Sequence, residues 1–183
     1  MRPIRKYVSL LAFRPSWGVV GGEPKDEGLM YNKYASTGSY AGGSAIAPSN
    51  LRLTDLKWER TSSWNMGFNL GLLEDLFNVE MNVYHKYTKD LLMAGVKIPT
   101  STGFSSLAWG NVGNMENKGW ELNFTTKRIK INSKFAVLGK FNIAQNVNEI
   151  TKMDASVLSS LNGDFDYNNE NYMSRVQIGN ALG

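Results

Sequence analysis

The stretch Trp64-Asn-Met-Gly-Phe-Asn-Leu-Gly-Leu72 decides the fold, because its residues alternate strictly between two chemical kinds. The even-numbered positions are all apolar, whereas the odd-numbered positions are all asparagine or glycine. Successive side chains of a β-strand point to opposite faces, so this period of two gives one apolar and one polar face. A helical period of 3.6 would mix the two sets. The stretch is therefore predicted to be a strand with two faces of opposite character.

The same alternation recurs along the chain, and we call the apolar positions the apolar rows and the positions between them the polar rows. The apolar rows of the clearest segments are Trp64, Met66, Phe68 and Leu70; Phe77, Val79, Met81 and Val83; Trp120, Leu122 and Phe124; and Phe135, Val137, Phe141 and Ile143. A weaker segment near the start contains Pro15, which cannot donate a ladder hydrogen bond and so predicts an edge strand or a bulge. We predict five strands, at about residues 8–20, 57–72, 76–92, 114–126 and 134–148.

The predicted connections alternate between short and long. Residues 73–75 and 127–133 form short turns, whereas residues 21–55, 93–113 and 149–183 form long loops. This is typical of an up-and-down antiparallel meander, and outer-membrane barrels are built in this way. A strand of nine residues is about 30 Å long, and a tilt near 40° projects it to about 23 Å, close to the apolar band of such barrels. The fold class is predicted to be all-β, as part of a transmembrane β-barrel.

Composition excludes several functional classes. The sequence has no cysteine and one histidine, which excludes disulfide frameworks, thiolate metal sites and clusters of histidine ligands. The net charge of +4 is small and spread along the chain, so we expect no nucleic-acid partner. No apolar run approaches the roughly 20 residues that a membrane-spanning helix needs, and the N-terminus does not resemble a signal peptide.

Two other classes stay open on the pattern alone. A soluble, carbohydrate-binding β-sandwich would show the same alternation on its inner faces, although its outer face usually carries Lys, Glu and Thr rather than Asn and Gly. A secreted hydrolase would need two carboxylates on neighbouring strands, and Glu80 and Glu121 are the candidates.

A collinear series of motifs resembles the SusC/RagA family of TonB-linked outer-membrane transporters. The motifs are Arg14-Pro-Ser-Trp-Gly-Val-Val-Gly21, Leu56-Lys-Trp-Glu59, Asn65-Met-Gly67, Val83-Tyr-His-Lys-Tyr-Thr-Lys-Asp-Leu-Leu92, Ile98-Pro-Thr-Ser-Thr-Gly-Phe104, Asn111-Val-Gly-Asn-Met-Glu-Asn-Lys-Gly-Trp-Glu-Leu122 and Phe141-Asn-Ile-Ala-Gln-Asn-Val-Asn-Glu-Ile150. The resemblance covers about residues 8–150, and the ordered set is far more specific than any one motif.

The resemblance implies a segment of a 22-stranded, plugged barrel in the outer membrane of a Gram-negative bacterium of the Bacteroidetes type. The whole protein would import oligosaccharides or peptides, with a SusD-like surface lipoprotein as a lid and TonB pulling on the plug. Neither enzymatic activity nor a cofactor is implied. The plug, the TonB box and the final strand are expected to lie outside this sequence, and the chain is expected to be an internal slice of the barrel wall.

The resemblance also suggests roles for particular side chains. The apolar rows are expected to face outer-membrane lipid, and His85 is expected to lie at the membrane interface. Phe104 and Trp109 lie in a polar loop, where aromatic rings can bind cargo or pin the loop by folding inward. On the polar rows, Arg14 and Glu80, together with Glu121 and Lys140, are expected to pair with each other or with the plug.

One acidic segment, Asp164-Phe-Asp-Tyr-Asn-Asn169, begins like a calcium-binding EF-hand loop. Its sixth position is Asn169 rather than glycine and its twelfth is Arg175 rather than glutamate, so an EF-hand is not expected. A looser cation site in this segment stays open, with a solvated acidic loop as the simpler interpretation.

Overall fold

The computed structural model describes residues 7–162 and 177–181. The described part contains one single-turn 3₁₀ helix at Thr100–Thr102, one α-helix and nine strands. The strands are Val8–Gly22 (β1), Tyr34–Tyr40 (β2), Gly43–Pro48 (β3), Glu59–Leu72 (β4), Phe77–Lys97 (β5), Ser106–Thr126 (β6), Ile129–Lys130 (β7), Ala136–Val137 (β8) and Lys140–Met153 (β9), and the helix is Ala155–Asn162 (α1).

Five of the strands form one sheet in the order β1-β4-β5-β6-β9, which is also their order along the chain. The other strands form the hairpins β2–β3 and β7–β8. The predicted all-β, antiparallel meander is confirmed. Pro15 lies within β1, the first strand of the described sheet. No helix in the described part of the chain has the length and hydropathy of a membrane span.

The loop predicted at residues 93–113 is too long. β5 continues to Lys97 and β6 begins at Ser106, so only residues 98–105 connect them. Residues 84–90 are a mixture of polar and aromatic residues and residues 91–94 are all apolar, so no period of two marks how far the strand continues. Asp90, inside the strand, adopts a left-handed φ of 55°.

The other predicted boundaries also need correction. The loop predicted at residues 21–55 contains the β2–β3 hairpin, whose many small residues give no apolar alternation. The strand predicted at 134–148 is divided, because Phe135 and Val137 belong to the β7–β8 hairpin region and β9 starts at Lys140. The loop predicted from residue 149 begins as strand and helix, since β9 extends to Met153 and α1 follows.

The chain divides into two compact units. Of the described residues, 7–19, 62–87 and 116–148 form the first unit, and 20–61, 88–115, 149–162 and 177–181 form the second.

The second unit has a small hydrophobic core. Its buried members are Val96, Val112, Ile150, Met153 and Val157. Helix α1 contributes Val157, and the N–H of Asp154 donates to the Val112 carbonyl at 3.0 Å at the start of the helix. A side chain at Gly113 would overlap the Lys152 carbonyl oxygen, so only glycine permits this close backbone approach.

The first unit has no such core. None of its described apolar residues is buried, and large side chains of the apolar rows such as Met66, Phe68 and Phe141 stay exposed. They contact one another along the sheet surface. Phe13 and Phe68 have ring centroids 4.9 Å apart, and Phe77 and Phe124 are 5.9 Å apart. The sheet of this unit therefore carries apolar rows that the described chain leaves uncovered.

Candidate functional site

The polar rows of the first unit are joined by Arg14 on β1. Its Nη2 donates to Asn69 Oδ1 at 2.8 Å and to Glu80 Oε1 at 2.7 Å, which connects β1, β4 and β5. A Cβ at Gly67 would lie 3.3 Å from the same Nη2 and 3.0 Å from Asn82 Oδ1, so glycine leaves room for the guanidinium. The predicted pairing of Arg14 with Glu80 is confirmed. Within the described residues, neither Glu121 nor Lys140 takes part in an ion pair.

A cavity of about 810 Å³ lies beside this arginine in the first unit. Its polar lining consists of Arg14, Ser16, Ser63, Asn65, Glu80, Asn82, Tyr84, Lys86, Asn117 and Glu121, and Trp17, Gly18 and Trp64 complete the lining. Tyr84 passes over Gly119, where a side chain would collide with it, and its hydroxyl donates to Asn146 Oδ1 at 3.2 Å. The lining carries both signs of charge and many neutral hydrogen-bonding groups, which suits a water-filled groove along the sheet.

The apolar rows of the first unit end in a group of aromatic and polar side chains. Trp64 stacks on His85 with ring centroids 5.9 Å apart, and His85 Nε2 lies 3.1 Å from Glu116 Oε1. Lys118 Nζ lies 3.0 Å from the same Glu116 oxygen. Trp120 Nε1 donates to Gln145 Oε1 at 3.1 Å. Indoles with an apolar ring and a satisfied N–H are typical of a membrane interface.

In the second unit, Trp109 lies on β6 rather than in the predicted loop, and it lines a cavity of about 450 Å³. The Nε1 of this half-buried indole donates to Asp26 Oδ2 at 2.6 Å, which ties the segment after β1 to β6. Phe104 does not line this cavity. It follows the turn at residues 100–103, where the Thr102 hydroxyl donates to its carbonyl at 3.3 Å. The two aromatic residues singled out in the sequence thus lie in different surroundings.

A feature that sequence reasoning missed is the side-chain clamp around Asp90. Asn111 Nδ2 donates to the carbonyls of Lys57 at 2.9 Å and Asp90 at 2.8 Å, while its Oδ1 accepts the Lys57 N–H at 2.8 Å. Asn114 Oδ1 accepts the Asp90 N–H at 3.2 Å. The available signal was two asparagines three positions apart in the first half of β6.

The short turn between β4 and β5 is fixed by Asp75. The residues at 73–75 all have left-handed φ angles, between 51° and 62°. Ser9 Oγ donates to Asp75 Oδ1 at 2.6 Å and accepts the Asp75 N–H at 3.1 Å. The Ser9 hydrogen bond lowers the pKa of the Asp75 carboxyl below its usual value; desolvation opposes this shift, and Lys127 lowers the pKa further.

The described residues contain no group of three or more side chains that could hold a metal ion. The EF-hand-like segment from Asp164 to Arg175 lies outside the described residues.

Comparisons with known proteins all indicate the same family. The model of the family described as "TonB dependent receptor-like, beta-barrel" matches residues 12–180. The chain is 35% identical over 147 residues to TonB-dependent receptor P39 of Formosa agariphila, covering 80% of this chain and 14% of that protein. It is 33% identical over 153 residues to TonB-dependent receptor SusC of Bacteroides thetaiotaomicron, covering 80% of this chain and 15% of SusC.

Solved structures agree with the sequence relatives. The structure of the RagAB peptide transporter matches with a TM-score of 0.70 and 26% identity, over 82% of this chain and 16% of that chain. The RagAB peptide importer in its closed-closed state matches with a TM-score of 0.71 and 27% identity, over 83% and 17%. The chain thus spans about a sixth or less of each relative, all of which carry receptor or transporter names. The chain belongs to the TonB-dependent receptor β-barrel family and is of the SusC/RagA type.

Proposed function

We propose that the whole protein is a TonB-dependent transporter of the outer membrane and that this chain forms a section of its barrel wall. The observation that carries the proposal is the exposure of the apolar rows of the first unit, opposite polar rows joined by Arg14. Hydrocarbon outside a barrel and water inside it satisfy both faces at once. A soluble β-sandwich would need a second apolar layer over these rows, and the described chain supplies none.

The proposal assigns an environment to each apolar row. The main-sheet residues proposed to face lipid are Trp64, Met66, Phe68, Leu70, Phe77, Val79, Met81, Val83, Trp120, Leu122, Phe124, Phe141 and Ile143. His85, stacked on Trp64, is proposed to lie at the headgroup level, where its contact with Glu116 can stay hydrated. Phe135 and Val137 are proposed to meet lipid too, although they lie in the β7–β8 hairpin region rather than on the main sheet.

The proposed cargo is an oligosaccharide or a peptide. Support comes from the kinship with SusC and with the RagAB peptide transporter. The proposed partners are a SusD-like surface lipoprotein as a lid, TonB as the source of energy, and outer-membrane lipid around the barrel. Trp109 is proposed to contact cargo because its ring lines a cavity, whereas Phe104 is proposed to contact cargo on its loop position alone.

Import by the full-length protein in its native host tests this function. Cells that rely on this transporter are expected to lose uptake of its cargo when TonB is deleted and to regain uptake when TonB is restored. The matched control is a glycan or peptide that enters through porins, whose uptake does not need TonB. Fractionation of the same cells is expected to place the protein in the outer membrane. Recovery in the soluble periplasm, or uptake that is indifferent to TonB, contradicts the proposal.

A further inference from the structure

A groove of about 340 Å³ lies in the first unit where the apolar rows end. Its lining residues all belong to that unit, and they are Trp64, Val83, Tyr84, His85, Lys118, Gly119, Trp120, Gln145 and Val147. Three of them, Trp64, Val83 and Trp120, are themselves members of the apolar rows. The groove is therefore continuous with the apolar face that the described chain leaves uncovered.

The lining of this groove combines apolar surface with positive charge. Its two tryptophans and two valines supply the apolar surface. Lys118 supplies a positive charge on a side chain that is 50% exposed, and His85 adds a second charge when it is protonated. Among the described residues that line the groove, none is an aspartate or a glutamate. A molecule with hydrocarbon at one end and negative charge at the other matches both parts of this lining.

One carboxylate outside the lining holds the two basic side chains in place. Glu116 Oε1 lies 3.1 Å from His85 Nε2 and 3.0 Å from Lys118 Nζ. The imidazole also stacks on Trp64, with ring centroids 5.9 Å apart. Because these contacts restrict the rotamers of both basic side chains, they lower the entropic cost of binding a ligand there. Glu116 is thus a positioning residue for the groove.

The amide of Gln145 adds a neutral donor to the same groove. Its Oε1 accepts the Trp120 indole N–H at 3.1 Å, and the side chain is exposed. A glutamine amide has one accepting oxygen and two donating N–H groups, so the end that is not held by the indole is a donor. Gln145 and Lys118 therefore both offer donors, which suits the oxygens of a phosphate group.

We propose that this groove binds an anionic membrane lipid. The headgroup phosphate contacts Lys118, His85 and Gln145, and an acyl chain lies between Trp64 and Trp120. The inference rests on the proposed function, because it requires the apolar rows to lie in a membrane. It goes further by selecting one class of lipid, since a zwitterionic headgroup brings a cation of its own to a lining that is already positive.

Native mass spectrometry of the full-length transporter with its partner, stripped of lipid in an uncharged detergent, tests the inference. The probes are phosphatidylglycerol and phosphatidylcholine with identical acyl chains, and glycerol 3-phosphate, which has the phosphate but no chain. The wild type is expected to hold one more tightly bound phosphatidylglycerol than the double variant Lys118→Gln with His85→Gln. At that site phosphatidylglycerol is expected to bind about tenfold more tightly than phosphatidylcholine, as two partly exposed charge pairs allow.

Three results overturn the inference. They are equal numbers of phosphatidylglycerol on the wild type and the double variant, equal affinity of the site for the two lipids, and displacement of the lipid by glycerol 3-phosphate. The last result would mean that the phosphate binds without the chain.

Two control variants keep the test specific. Lys118→Arg retains the positive charge and is expected to retain the extra lipid. Lys140→Gln removes a positive charge from β9 of the same unit at a position that does not line the groove, and it is also expected to retain the lipid. Loss of the lipid in the Lys140 variant would assign binding to net charge rather than to the groove. If the double variant does not fold, Lys118→Gln alone takes its place, with the same lipid expected to be lost.

Uptake and fractionation of the same variants in cells separate this inference from the proposed function. If the protein lies in the outer membrane and uptake depends on TonB, but the double variant keeps every lipid, the lipid site is wrong and the transporter remains. If the wild type is recovered from the soluble periplasm, the proposed function fails and the lipid site fails with it.

Discussion

Phe68 and Phe141 in the first unit are 43% and 58% exposed, whereas Val112 and Ile150 in the second unit are 2% and 1% exposed. All four residues lie on strands of the same sheet. Along one strand, therefore, an apolar residue can be exposed or part of a core depending on which unit contains it. The difference shows that period-two patterning identifies a face but does not say what covers that face.

The largest expected effect is a difference in stability between two isoleucine variants on β9, one in each unit. Ile150→Ala removes a side chain that packs in the core of the second unit, and it is expected to cost about 2–5 kcal/mol of unfolding free energy. Ile143→Ala removes the same atoms from a side chain that is 45% exposed, and it is expected to cost less than about 1 kcal/mol in detergent. Denaturant unfolding of the full-length protein in detergent, monitored by protease resistance, measures both. Equal losses would remove the contrast between the units.

A smaller loss of stability is expected when the Asn111 clamp in the second unit is removed. Asn111→Ala deletes three hydrogen bonds to the backbone of Lys57 and Asp90, each contributing about 0.5–1.5 kcal/mol, so a loss of about 2–3 kcal/mol is expected.

Hydrogen exchange reports this loss directly, because the Lys57 N–H donates to the deleted oxygen and should exchange faster. Asn142→Ala, at an exposed position of the first unit, is the matched control and should leave that amide unchanged. If the Lys57 amide is equally protected in the Asn111 variant, the clamp does not hold the segment.

The polar rows of the first unit supply a third, weaker effect. The groups of the Arg14–Glu80 pair are 53% and 43% exposed, so solvent screens their attraction. Glu80→Gln is expected to cost at most about 1 kcal/mol, and a double-mutant cycle with Arg14→Gln should give a coupling of that size or less. A coupling of several kcal/mol would mean that the pair is shielded from water, contrary to a water-filled groove.

The smallest effect concerns the turn at Asp75. Because the pKa of Asp75 is lower in the folded chain than the ordinary 3.8, its contribution to stability is complete above that pH. The contribution is lost as the pH falls from there through the lower, folded-state pKa. Ser9→Ala removes the main cause of the shift, so the variant should show a flatter loss of stability as the pH falls below 3.8 in thermal unfolding. An unchanged pH profile contradicts the role given to Ser9.

The sequence predicted the sheet because apolar residues stand at every second position of β4 from Trp64, of the start of β5 and of the end of β6. It misplaced the long loop because the second half of β5 shows no alternation, with mixed residues at 84–90 and an apolar run at 91–94. The β2–β3 hairpin escaped notice because its small residues pair through the backbone and show no apolar face.

The sequence predicted only part of the candidate site in the second unit. Trp109 stood out as an aromatic residue in a polar segment. The Asn111 clamp and the lining of the cavity beside Trp109 depend on segments far apart in the chain, since residues 52–57 meet Asp90 and Asn111 only after folding. No pattern within one stretch of the sequence predicts contacts between segments that are so far apart.

Cysteine accessibility along β4 tests the central claim most directly, since the chain itself contains no cysteine. Asn65→Cys, Met66→Cys, Phe68→Cys and Asn69→Cys are introduced singly into the full-length protein, free of other cysteines, in outer-membrane vesicles. Each is challenged with a water-soluble maleimide and with a lipid-soluble one. The account predicts that the water-soluble reagent labels positions 65 and 69 and that only the lipid-soluble reagent labels positions 66 and 68. Uniform labelling of all four positions by the water-soluble reagent would contradict it.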